Sequence, residues 1–370
     1  MKLQVLQEEL TKALLTCSRF ASTRIQLQVL SNILLKAEKN KLVTSATNLE
    51  TSISIAMGAK VIEDGEITVP AKTFTELISH LGSGQINLET DKETISIKSS
   101  GFDSVVPGMN AADFPQIPKE VGLDNIKLPS KNLVDALGST LFAVSVDEIR
   151  PVLTGVLLIM KENNILLVST DGFRLSQKKI KVDYKDEEKK LIIPKNALSE
   201  VMRLASFAES VSFSYKKSDN QVIFSAANST LSSRVIEGEF PDFERIIPRK
   251  TGIKVTVDKE DLLRAVKLSS VFARDAANVI KMKIADGEVE VSAESNVSGR
   301  ETAKVEAKVE GEKVKDFVIA FNFRFLEDFL AVAKDDSITM EFSDPNSPTL
   351  FLDPKETEFL HIIMPIRLQN

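Results

Sequence analysis

The stretch LLVSTDGFRLS, residues 166–176, leads from an apolar strand into a Thr-Asp-Gly turn that sets an aromatic residue beside an arginine. Two other stretches resemble it, KLVTSATNLE at residues 41–50 and VEVSAESNVS at residues 289–298. The matched positions Thr47, Thr170 and Glu294 lie one third of the chain apart (170 − 47 = 123 and 294 − 170 = 124). This period indicates that the chain contains three copies of one unit.

Helical patterns recur at the same period. Each third carries an early stretch with apolar residues three and four positions apart, which is typical of an amphipathic helix. The inward positions of these helices are Leu10, Ala13, Leu14 and Cys17, then Leu133, Ala136, Leu137 and Leu141, then Leu262, Ala265, Val266 and Ser269. A second helical stretch follows in each third, with Glu76, Glu200 and Asp328 at matching places. Alternating strands come after it, QINLET, SVSFSYK and SITMEFS.

These repeats predict an α+β fold of three tandem, similar units, each with two helices packed on antiparallel sheets. Turn signals such as Asp64-Gly65 and Asp286-Gly287 separate strands within the units. Stretches rich in proline and charge, DFPQIPKEVGL and DFERIIPRKTG, indicate where one unit ends and the next begins. We therefore predict three domains, residues 1–120, 121–248 and 249–370, each large enough for its own core.

Composition sets the protein class. The chain has 370 residues and a mass of 40.8 kDa, with 43% hydrophobic and 27% charged residues, which is ordinary for a globular protein. No apolar run approaches the roughly 18 residues that a membrane span requires. The N-terminus MKLQVLQEELTKALL carries acids where a signal peptide has a cationic end and an apolar stretch. We expect a cytoplasmic protein.

Motifs for catalysis or metal binding are missing from the sequence. The single cysteine, Cys17, lies on the apolar face of a predicted helix, so we expect a buried core thiol rather than a nucleophile. The two histidines, His80 and His361, lie far apart and in no metal-binding spacing. Glycine-rich phosphate loops and G-x-S-x-G elbows do not occur. We predict no cofactor and no metal.

An enzyme could still use Asp171 and Arg174 of the opening stretch as an acid–base or anion-binding pair. The repeats argue against this, because Asn48 and Ser295 stand at the place of Asp171 in the other two copies. A duplicated turn whose side chains vary suits a fold element better than a catalytic one. Arg174 also has a purely local alternative, in which it pins a neighbouring carboxylate or carbonyl group.

Charge leaves nucleic-acid binding open. The net charge is −6, from 47 basic and 53 acidic residues, whereas a nucleic-acid-binding domain is normally basic. Net charge does not describe how charge is distributed over the surface. The predicted helices carry both signs, so their basic residues either form ordinary solvated faces or line a surface that faces phosphates. They carry no aromatic platform for single-stranded bases, which favours duplex if nucleic acid is bound.

Four motifs in order resemble one family: SVDEIRPVLTGVLL (145–158), STDGFRLS (169–176), EFPDFERIIP (239–248) and IIMPIRL (362–368). The chain resembles the bacterial DNA sliding clamps, the β subunits and processivity factors of DNA polymerase III, over its whole length. The resemblance implies a head-to-tail homodimeric ring of six similar domains around duplex DNA, of which this chain forms half. It implies no catalysis, tethering of replicative and other polymerases and repair proteins through short linear peptides, and opening by an ATP-dependent clamp loader. A protein scaffold without nucleic acid is the remaining alternative.

The resemblance also assigns a hydrophobic peptide-binding cleft between the second and third domains. Family members often have a histidine where this chain has Phe173. A polar contact made by that histidine is therefore not expected here. By residue-by-residue correspondence, the cleft comprises Leu153, Thr170, Gly172, Phe173, Arg174, Leu175, Pro241, Arg245, Ile246, Asn346, Pro348, Ile362, Met364, Pro365, Ile366, Arg367 and Leu368.

For DNA, the resemblance points to the loops after the first helix of each unit and to basic helix positions, which are Arg24, Arg150, Arg274, Lys72, Lys195 and Arg203. For the dimer, edge strands of the first and third units are expected to pair across each contact between subunits. The positions that match the family's interface are Ser104, Val106, Ala277 and Asn278.

Overall fold

The computed structural model of the chain describes residues 1–22, 27–118, 120–122, 125–311 and 317–368. Its fold is α+β, built from helices and antiparallel sheets, as the repeats predict. The same succession of strands and helices occurs three times along the chain. We give the bounds of the elements for each third in turn.

The first third opens with strand β1, in which buried and less buried residues alternate, and helix α1 follows directly. Its elements are β1 (Lys2–Leu6), α1 (Gln7–Cys17), β2 (Asn32–Glu38), β3 (Lys41–Thr47), β4 (Thr51–Gly58), β5 (Lys60–Glu63), β6 (Gly65–Pro70), α2 (Ala71–His80), β7 (Gln85–Asp91), β8 (Thr94–Ser99) and β9 (Phe102–Pro107).

The second third has the same order without a counterpart of β5. Its elements are β10 (Ile126–Pro129), α3 (Ser130–Gly138), β11 (Gly155–Lys161), β12 (Asn164–Thr170), β13 (Arg174–Lys181), β14 (Lys189–Pro194), α4 (Lys195–Ala205), β15 (Ser210–Lys216), β16 (Gln221–Ala226) and β17 (Ser229–Arg234).

The final third contains the longest strand and the longest helix of the described residues. Its elements are β18 (Ile253–Asp258), α5 (Lys259–Ala273), β19 (Val279–Ala285), β20 (Glu288–Ser295), β21 (Gly299–Gly311), β22 (Phe317–Asn322), α6 (Phe323–Val332), β23 (Ser337–Phe342), β24 (Thr349–Leu352) and β25 (Phe359–Ile363).

The apolar faces of the helices lie in the core, as their spacing predicts. The predicted inward positions of the first helix in each third are all buried, but α3 ends at Gly138, so the prediction that Leu141 belongs to this helix is wrong. Helix α5 begins at an N-cap, where the Asp258 carboxylate accepts the backbone N–H of Asp261 at 3.0 Å. Cys17 is fully buried against Thr44, and burial raises the pKa of its thiol to about 12. The expectation of a core thiol is confirmed, because so high a pKa suppresses the reactive thiolate.

Tight turns connect the central strands of each third. Lys39 and Asn40 both have positive φ between β2 and β3, and Glu162 and Asn163 repeat this between β11 and β12. Two consecutive left-handed residues match the right-handed twist of a two-residue hairpin. Asp286-Gly287 makes the corresponding hairpin between β19 and β20, as expected. Asp64-Gly65 also lies between strands, but β5 and β6 belong to different sheets.

The chain divides into two compact units. Unit 1 comprises residues Met1–Leu133 and Asn196–Val235, and unit 2 comprises Val134–Lys195 and Ile236–Asn370. Unit 1 holds a five-stranded sheet, β5-β1-β7-β8-β9, and an eight-stranded sheet, β10-β15-β16-β17-β4-β3-β2-β6. Unit 2 holds a sheet of twelve strands, β14-β11-β12-β13-β25-β24-β23-β18-β21-β20-β19-β22. The middle third of the sequence is therefore shared between the two units, which the predicted division into thirds did not anticipate.

Two strand pairs join successive thirds. In unit 1, β4 of the first third pairs antiparallel with β17 of the second, in a register that places Ser52 opposite Ser232. In unit 2, β13 of the second third pairs with β25 of the last, placing Leu175 opposite Ile362. We call these the first junction and the second junction.

Candidate functional site

The opening stretch forms a turn, Thr170–Arg174, at the edge of the second junction. The Thr170 hydroxyl accepts the N–H of Gly172 at 3.0 Å and donates to the carbonyl of Arg174 at 2.6 Å. One oxygen of Asp171 accepts the N–H groups of Phe173 and Arg174, at 2.9 and 3.0 Å. Gly172 has φ 92°, a conformation that costs energy for residues with a Cβ atom. We call this segment the docking turn.

The geometry shows what the Asp171 carboxylate does. Its first oxygen caps the turn, and its second accepts the Nε–H of Arg174 at 3.0 Å. Both oxygens are thus occupied by local hydrogen bonds, an arrangement that organises a loop. The local alternative for Arg174, in which it pins a neighbouring carboxylate, describes this contact.

The C-terminal segment is fixed against the docking turn. The backbone N–H of Met364 donates to the carbonyl of Phe173 at 2.8 Å, and the N–H of Ile366 donates to Ala320 at 2.8 Å. The first bond extends the β13–β25 ladder by one step, and the second attaches the segment to β22. The first of these bonds makes Phe173 and Met364, two of the expected cleft residues, direct neighbours.

A buried apolar cluster at the second junction includes two of the expected cleft residues, Leu175 and Ile362. Leu175 and Ile362 pack with Leu157, Val168 and Phe243, and all five are buried. Phe243 belongs to the segment that carries three expected cleft residues, Pro241, Arg245 and Ile246, all of them exposed. Arg245 forms an ion pair with Asp242 at 2.6 Å on the surface. The expected cleft residues named so far therefore come from three separate parts of the sequence.

The remaining expected cleft residues lie at different depths. Leu153 and Thr170 are buried, whereas Arg367 and Leu368 are exposed. Asn346 is exposed, and Pro348 is half-buried just before β24, which pairs with β25. No contact of Asn346 with the docking turn is seen among the described residues.

Phe173 is the most prominent apolar side chain of the site, with 65% of its surface exposed although its backbone is fixed by hydrogen bonds. It borders a cavity of about 470 Å³ whose apolar walls include Phe142, Val144, Leu153 and Phe325. Val146, on the neighbouring loop and also part of this lining, is 89% exposed. Exposed apolar groups around a cavity are typical of a binding surface.

Cationic side chains stand around the same cavity. Arg150, Lys195 and Arg324 line it, and the Arg150 Nη1 lies 3.8 Å from the position that a Cβ atom on Gly172 would occupy. Two residues expected to face DNA, Arg150 and Lys195, are thus neighbours of the docking turn. Sequence spacing gave no sign of this proximity.

The other expected DNA-contacting residues lie elsewhere. Lys72 is exposed near the start of α2, and Arg274 is exposed at the C-cap of α5. Arg203 is exposed on α4 beside Glu200, with 3.6 Å between Nε and the carboxylate. Arg24 lies outside the described residues.

The expected interface residues divide into two groups. Ser104 and Val106 lie in β9, which is the edge strand of the five-stranded sheet. Ala277 and Asn278 have left-handed backbone conformations in the connection from α5 to β19. The carbonyl of Asn278 accepts the N–H of Phe323, which links this connection to the start of α6.

Two further observations concern metals and membranes. Within the described ranges, no group of three or more His, Cys, Asp or Glu side chains is arranged to hold a metal ion. In the same ranges, no helix combines the length and the apolar character needed to cross a bilayer.

His361 is fully buried at the second junction, where it lies opposite Ser176. Its Nδ1 is 2.7 Å from the Ser176 hydroxyl, and its ring stacks on Phe329 at 5.5 Å. Burial, with a smaller contribution from the Arg174 charge, lowers the pKa of the imidazole to about 3. The ring is therefore neutral at physiological pH and acts as an aromatic core residue.

Sequence reasoning missed three residues of the site, Phe142, Phe325 and Asp328, which surround the Arg174 guanidinium. Asp328 carried a signal, because the repeats align it with Glu200 and Glu76. The two phenylalanines gave none, since both follow the apolar spacing of ordinary helical stretches.

Comparisons with known proteins agree along the whole chain. Models of the N-terminal, central and C-terminal domains of the DNA polymerase III beta subunit match residues 1–118, 127–242 and 244–367. The "Beta sliding clamp" of Staphylococcus aureus is 30% identical over 357 residues, which is 94% of each chain. Two solved structures cover both chains fully, a Bacillus subtilis DNA polymerase sliding clamp (TM-score 0.94, 24% identity) and a Caulobacter crescentus pol III beta (TM-score 0.91, 28% identity).

Proposed function

Because the chain belongs to the family of the bacterial DNA polymerase III beta subunit, a non-catalytic sliding clamp, we propose that two copies close head to tail into a ring around duplex DNA. The observation that carries this proposal is a pair of unpartnered strand edges. In the first and second junctions, a middle strand of one third pairs with the last strand of the next third. One strand of each kind still has an unpaired edge: the last strand of the first third and a middle strand of the last third.

The leftover edges belong to β21 and β9. Residues 299–306 of β21 pair with β20 on one side, and no other strand of the described chain lies along their second side. Strand β9 pairs only with β8 among the described strands. A third junction of the same type needs β9 and β21 from different copies, and two such junctions close a dimer.

The repeats predict the register of this third junction. Corresponding residues in the hairpins and sheets align Val106 with Ser233 and Ile363, and Gly299 with Thr51 and Arg174. We therefore expect Val106 opposite Gly299 and Ser104 opposite Glu301. Of the interface positions expected from the resemblance, Ser104 and Val106 fall in this register, whereas Ala277 and Asn278 lie outside it.

Exposed apolar groups support an interface at these edges. Val105 of β9 is 59% exposed, and Leu268 and Val271 on α5 are about half exposed. Helix α5 packs against β20 and β21, so these exposed apolar residues belong to the helix that covers the strand with the open edge. An edge strand with apolar neighbours is a template for pairing with another chain.

DNA binding in this proposal depends on topology more than on contacts. Arg24, Arg150, Arg274, Lys72, Lys195 and Arg203 are the basic positions proposed to face the duplex. Contacts of this kind are independent of sequence and weaken as salt rises. A net charge of −6 is compatible with encirclement, because linkage requires no tight contact and acidic groups can lie on other faces.

Retention on DNA tests the ring. The protein is loaded by its ATP-dependent clamp loader onto a nicked circular plasmid, which is then linearised. An encircling ring stays on the circle through gel filtration and is lost from the linear form, because it slides off the ends. Equal loss from circle and line would contradict encirclement.

A matched pair of variants ties retention to the open edges. Val105→Glu places a charge on β9 and is expected to give a monomer near 40.8 kDa in sedimentation, with no retention. Ile62→Glu places the same charge on β5, the opposite edge of the same sheet, at a residue of equal 59% exposure. This control should remain a dimer near twice that mass; a monomer from both variants, or from neither, would remove β9 from the interface.

For partner binding, we propose that the groove bordered by Phe173 and Met364 accepts short linear peptides from the replicative polymerase, other polymerases and repair proteins. Three features support this role: the buried apolar floor of Leu175 and Ile362, the fixed backbone of the docking turn, and the exposed Phe173. Met364 suits such a groove, because its flexible thioether adapts to different side chains. The clamp loader is a further proposed partner.

A further inference from the structure

All three guanidinium nitrogens of Arg174 donate hydrogen bonds within the protein. Its Nε–H donates to Asp171 at 3.0 Å, its Nη1 to Asp328 at 2.5 Å, and its Nη2 to the carbonyl of Phe142 at 2.7 Å. Its Cζ lies 4.5 Å from the ring centre of Phe325 and 5.4 Å from that of Phe142. The side chain is only 10% exposed. Little of this arginine is left for a peptide.

These contacts join parts of the chain that are distant in sequence. Asp171 belongs to the docking turn, Phe142 follows α3, and Phe325 and Asp328 lie on α6. Asp328 is 154 residues from Arg174, and its side chain is 43% exposed while that of Arg174 is nearly covered. Helix α6 therefore contributes a counter-charge that fixes the orientation of Arg174, and Arg174 fixes the second oxygen of Asp171.

The corresponding turn of the first third, Thr47–Thr51, lacks this tie. Asn48 accepts the N–H groups of Glu50 and Thr51 at 3.0 and 2.8 Å, and the Thr51 hydroxyl donates to Asn48 at 3.1 Å. Thr51 stands where Arg174 stands in the docking turn and ends at this local bond. The local closure of the turn thus needs no arginine, so the long side chain at position 174 serves the connection to α6.

We propose that Asp328 is a positioning residue, which through Arg174 holds the docking turn in the conformation that accepts a peptide. This inference rests on the proposed docking function of the groove. Loss of the Asp328 charge leaves Arg174 with a weaker, uncharged acceptor at this place, so its planar group is held less firmly and can turn away from Asp171. The Phe173 side chain then loses its fixed direction, although neither Asp328 nor α6 moves. An ion pair whose arginine is mostly covered and bonded to three acceptors has more effect than one with both partners exposed.

Hydrogen exchange of the full-length dimer measures the turn without any ligand. In Asp328→Asn, the amides of Gly172, Phe173 and Arg174 are expected to exchange about tenfold faster, as for a local opening that has become easier. The turn Thr47–Thr51, with the same backbone bonds and no arginine, is the internal reference and should not change. Asp328→Glu, which keeps the charge, should restore most of the protection.

The matched control is Glu327→Gln, which removes a charge from the neighbouring position of the same helix. It should leave the docking turn as protected as in the wild type. Unchanged exchange in Asp328→Asn, or equal acceleration in Glu327→Gln, would overturn the positioning role.

A peptide selected by display on the wild-type dimer supplies the second readout. Its dissociation constant should rise about fivefold in Asp328→Asn and stay the same in Glu327→Gln, the size expected for coupling within one network. An unchanged dissociation constant together with faster exchange would also overturn the inference. If Met364→Glu does not weaken the binding of any selected peptide, the groove is not the docking site. The hydrogen-exchange result then still shows whether Asp328 fixes the turn.

Discussion

The first junction, β4 with β17, and the second junction, β13 with β25, use the same antiparallel register. In each junction, the pairing continues by one more backbone hydrogen bond into the turn. The N–H of Arg234 donates to the carbonyl of Glu50 at 2.9 Å, and the N–H of Met364 donates to that of Phe173 at 2.8 Å. A second bond then attaches the following residues to an edge strand, from Ile236 to Ile192 and from Ile366 to Ala320. The backbones are therefore equivalent bond for bond.

The side chains at the two junctions differ in kind. Where the second junction has Leu175 opposite Ile362, the first has two serines, Ser52 and Ser232, whose hydroxyls are 2.7 Å apart and buried. Where the second has Phe173 and Met364 at the rim, the first has Glu50 and Arg234. One backbone arrangement thus carries a polar pair whose hydroxyls bond to each other at one place and an apolar pair at the other.

The ion pairs at the two places show the same contrast. Glu200 and Asp328 correspond in the repeat, and each receives an arginine. Glu200 receives Arg19 through two bonds of 3.0 and 2.9 Å, whereas Asp328 receives Arg174. Arg19 comes from the end of α1, and Arg174 comes from the turn itself. Only at the second junction does the carboxylate reach the turn, so only there can α6 influence it.

The largest expected effect comes from giving the second junction the seam of the first. Leu175→Ser with Ile362→Ser removes two buried aliphatic side chains and should lower the free energy of unfolding by about 5 kcal/mol. The display-selected peptide should no longer bind, because the floor of the groove is lost. Urea unfolding and a binding titration measure the two effects.

The control keeps the volume and polarity of the floor. Leu175→Ile with Ile362→Val should cost about 1.5 kcal/mol or less and should retain peptide binding. If the double serine variant loses under about 2 kcal/mol, the two seams are interchangeable and the contrast drawn between the junctions is wrong.

A smaller effect depends on pH. His361 has a pKa of about 3 in the fold against 6.5 in the unfolded chain, so below pH 6.5 the unfolded chain binds a proton that the fold does not. The unfolding free energy is therefore unaffected by His361 above pH 6.5 and decreases as the pH falls, by about 2 kcal/mol between pH 7 and pH 5. The first junction has Ile53 opposite Leu231 at the corresponding place, so no titratable side chain there makes stability depend on pH.

Transplanting the first-junction pair tests the pH effect. Ser176→Ile with His361→Leu should be less sensitive than the wild type to a change from pH 7 to pH 5, by about 2 kcal/mol in unfolding free energy. Its stability at pH 7 can fall through crowding, but the difference between the two pH values is the relevant quantity. Equal pH sensitivity of variant and wild type would show that His361 is protonated in the fold.

The smallest expected effect concerns the tips of the turns. Leu49 has φ 76° at the place where the docking turn has Gly172 with φ 92°. Leu49→Gly should raise the melting temperature by relieving up to about 1 kcal/mol of backbone strain, and Gly172→Ala should lower stability by about 1–2 kcal/mol. A loss of stability in Leu49→Gly would mean that packing of the half-exposed leucine outweighs its conformation.

Much of the fold follows from local patterns in the sequence. The spacing of Leu10, Ala13 and Leu14 and its two repeats predicts helices that the structure contains, and the alternating strands after α2, α4 and α6 are present as well. These features are encoded within short windows, where periodicity reflects which face is buried. The burial of Cys17 follows from the same pattern.

The junctions could not be read from the sequence in this way. Pairing of Ser52 with Ser232 depends on contacts 180 residues apart, and the ion pair of Arg174 with Asp328 spans 154 residues. No local window contains both members of such a pair. The division of the middle third between two compact units has the same origin, because β17 completes a sheet with β4 while β13 completes another with β25. For the docking site, the residues came from family resemblance, and the geometry added the contacts around Arg174.

The three turns hold their shape with the side chains of their first positions. Thr47 and Thr170, and in the last third Ser295 one position further along, each accept the backbone N–H two residues later through a hydroxyl. The tip residues Glu50, Phe173 and Val297 give only backbone groups to the turn. The tip side chains therefore differ among the three turns, while a hydroxyl hydrogen bond of the same kind closes each turn. A substitution at one tip can therefore change the surface there without altering the hydrogen bonds that close the other two turns.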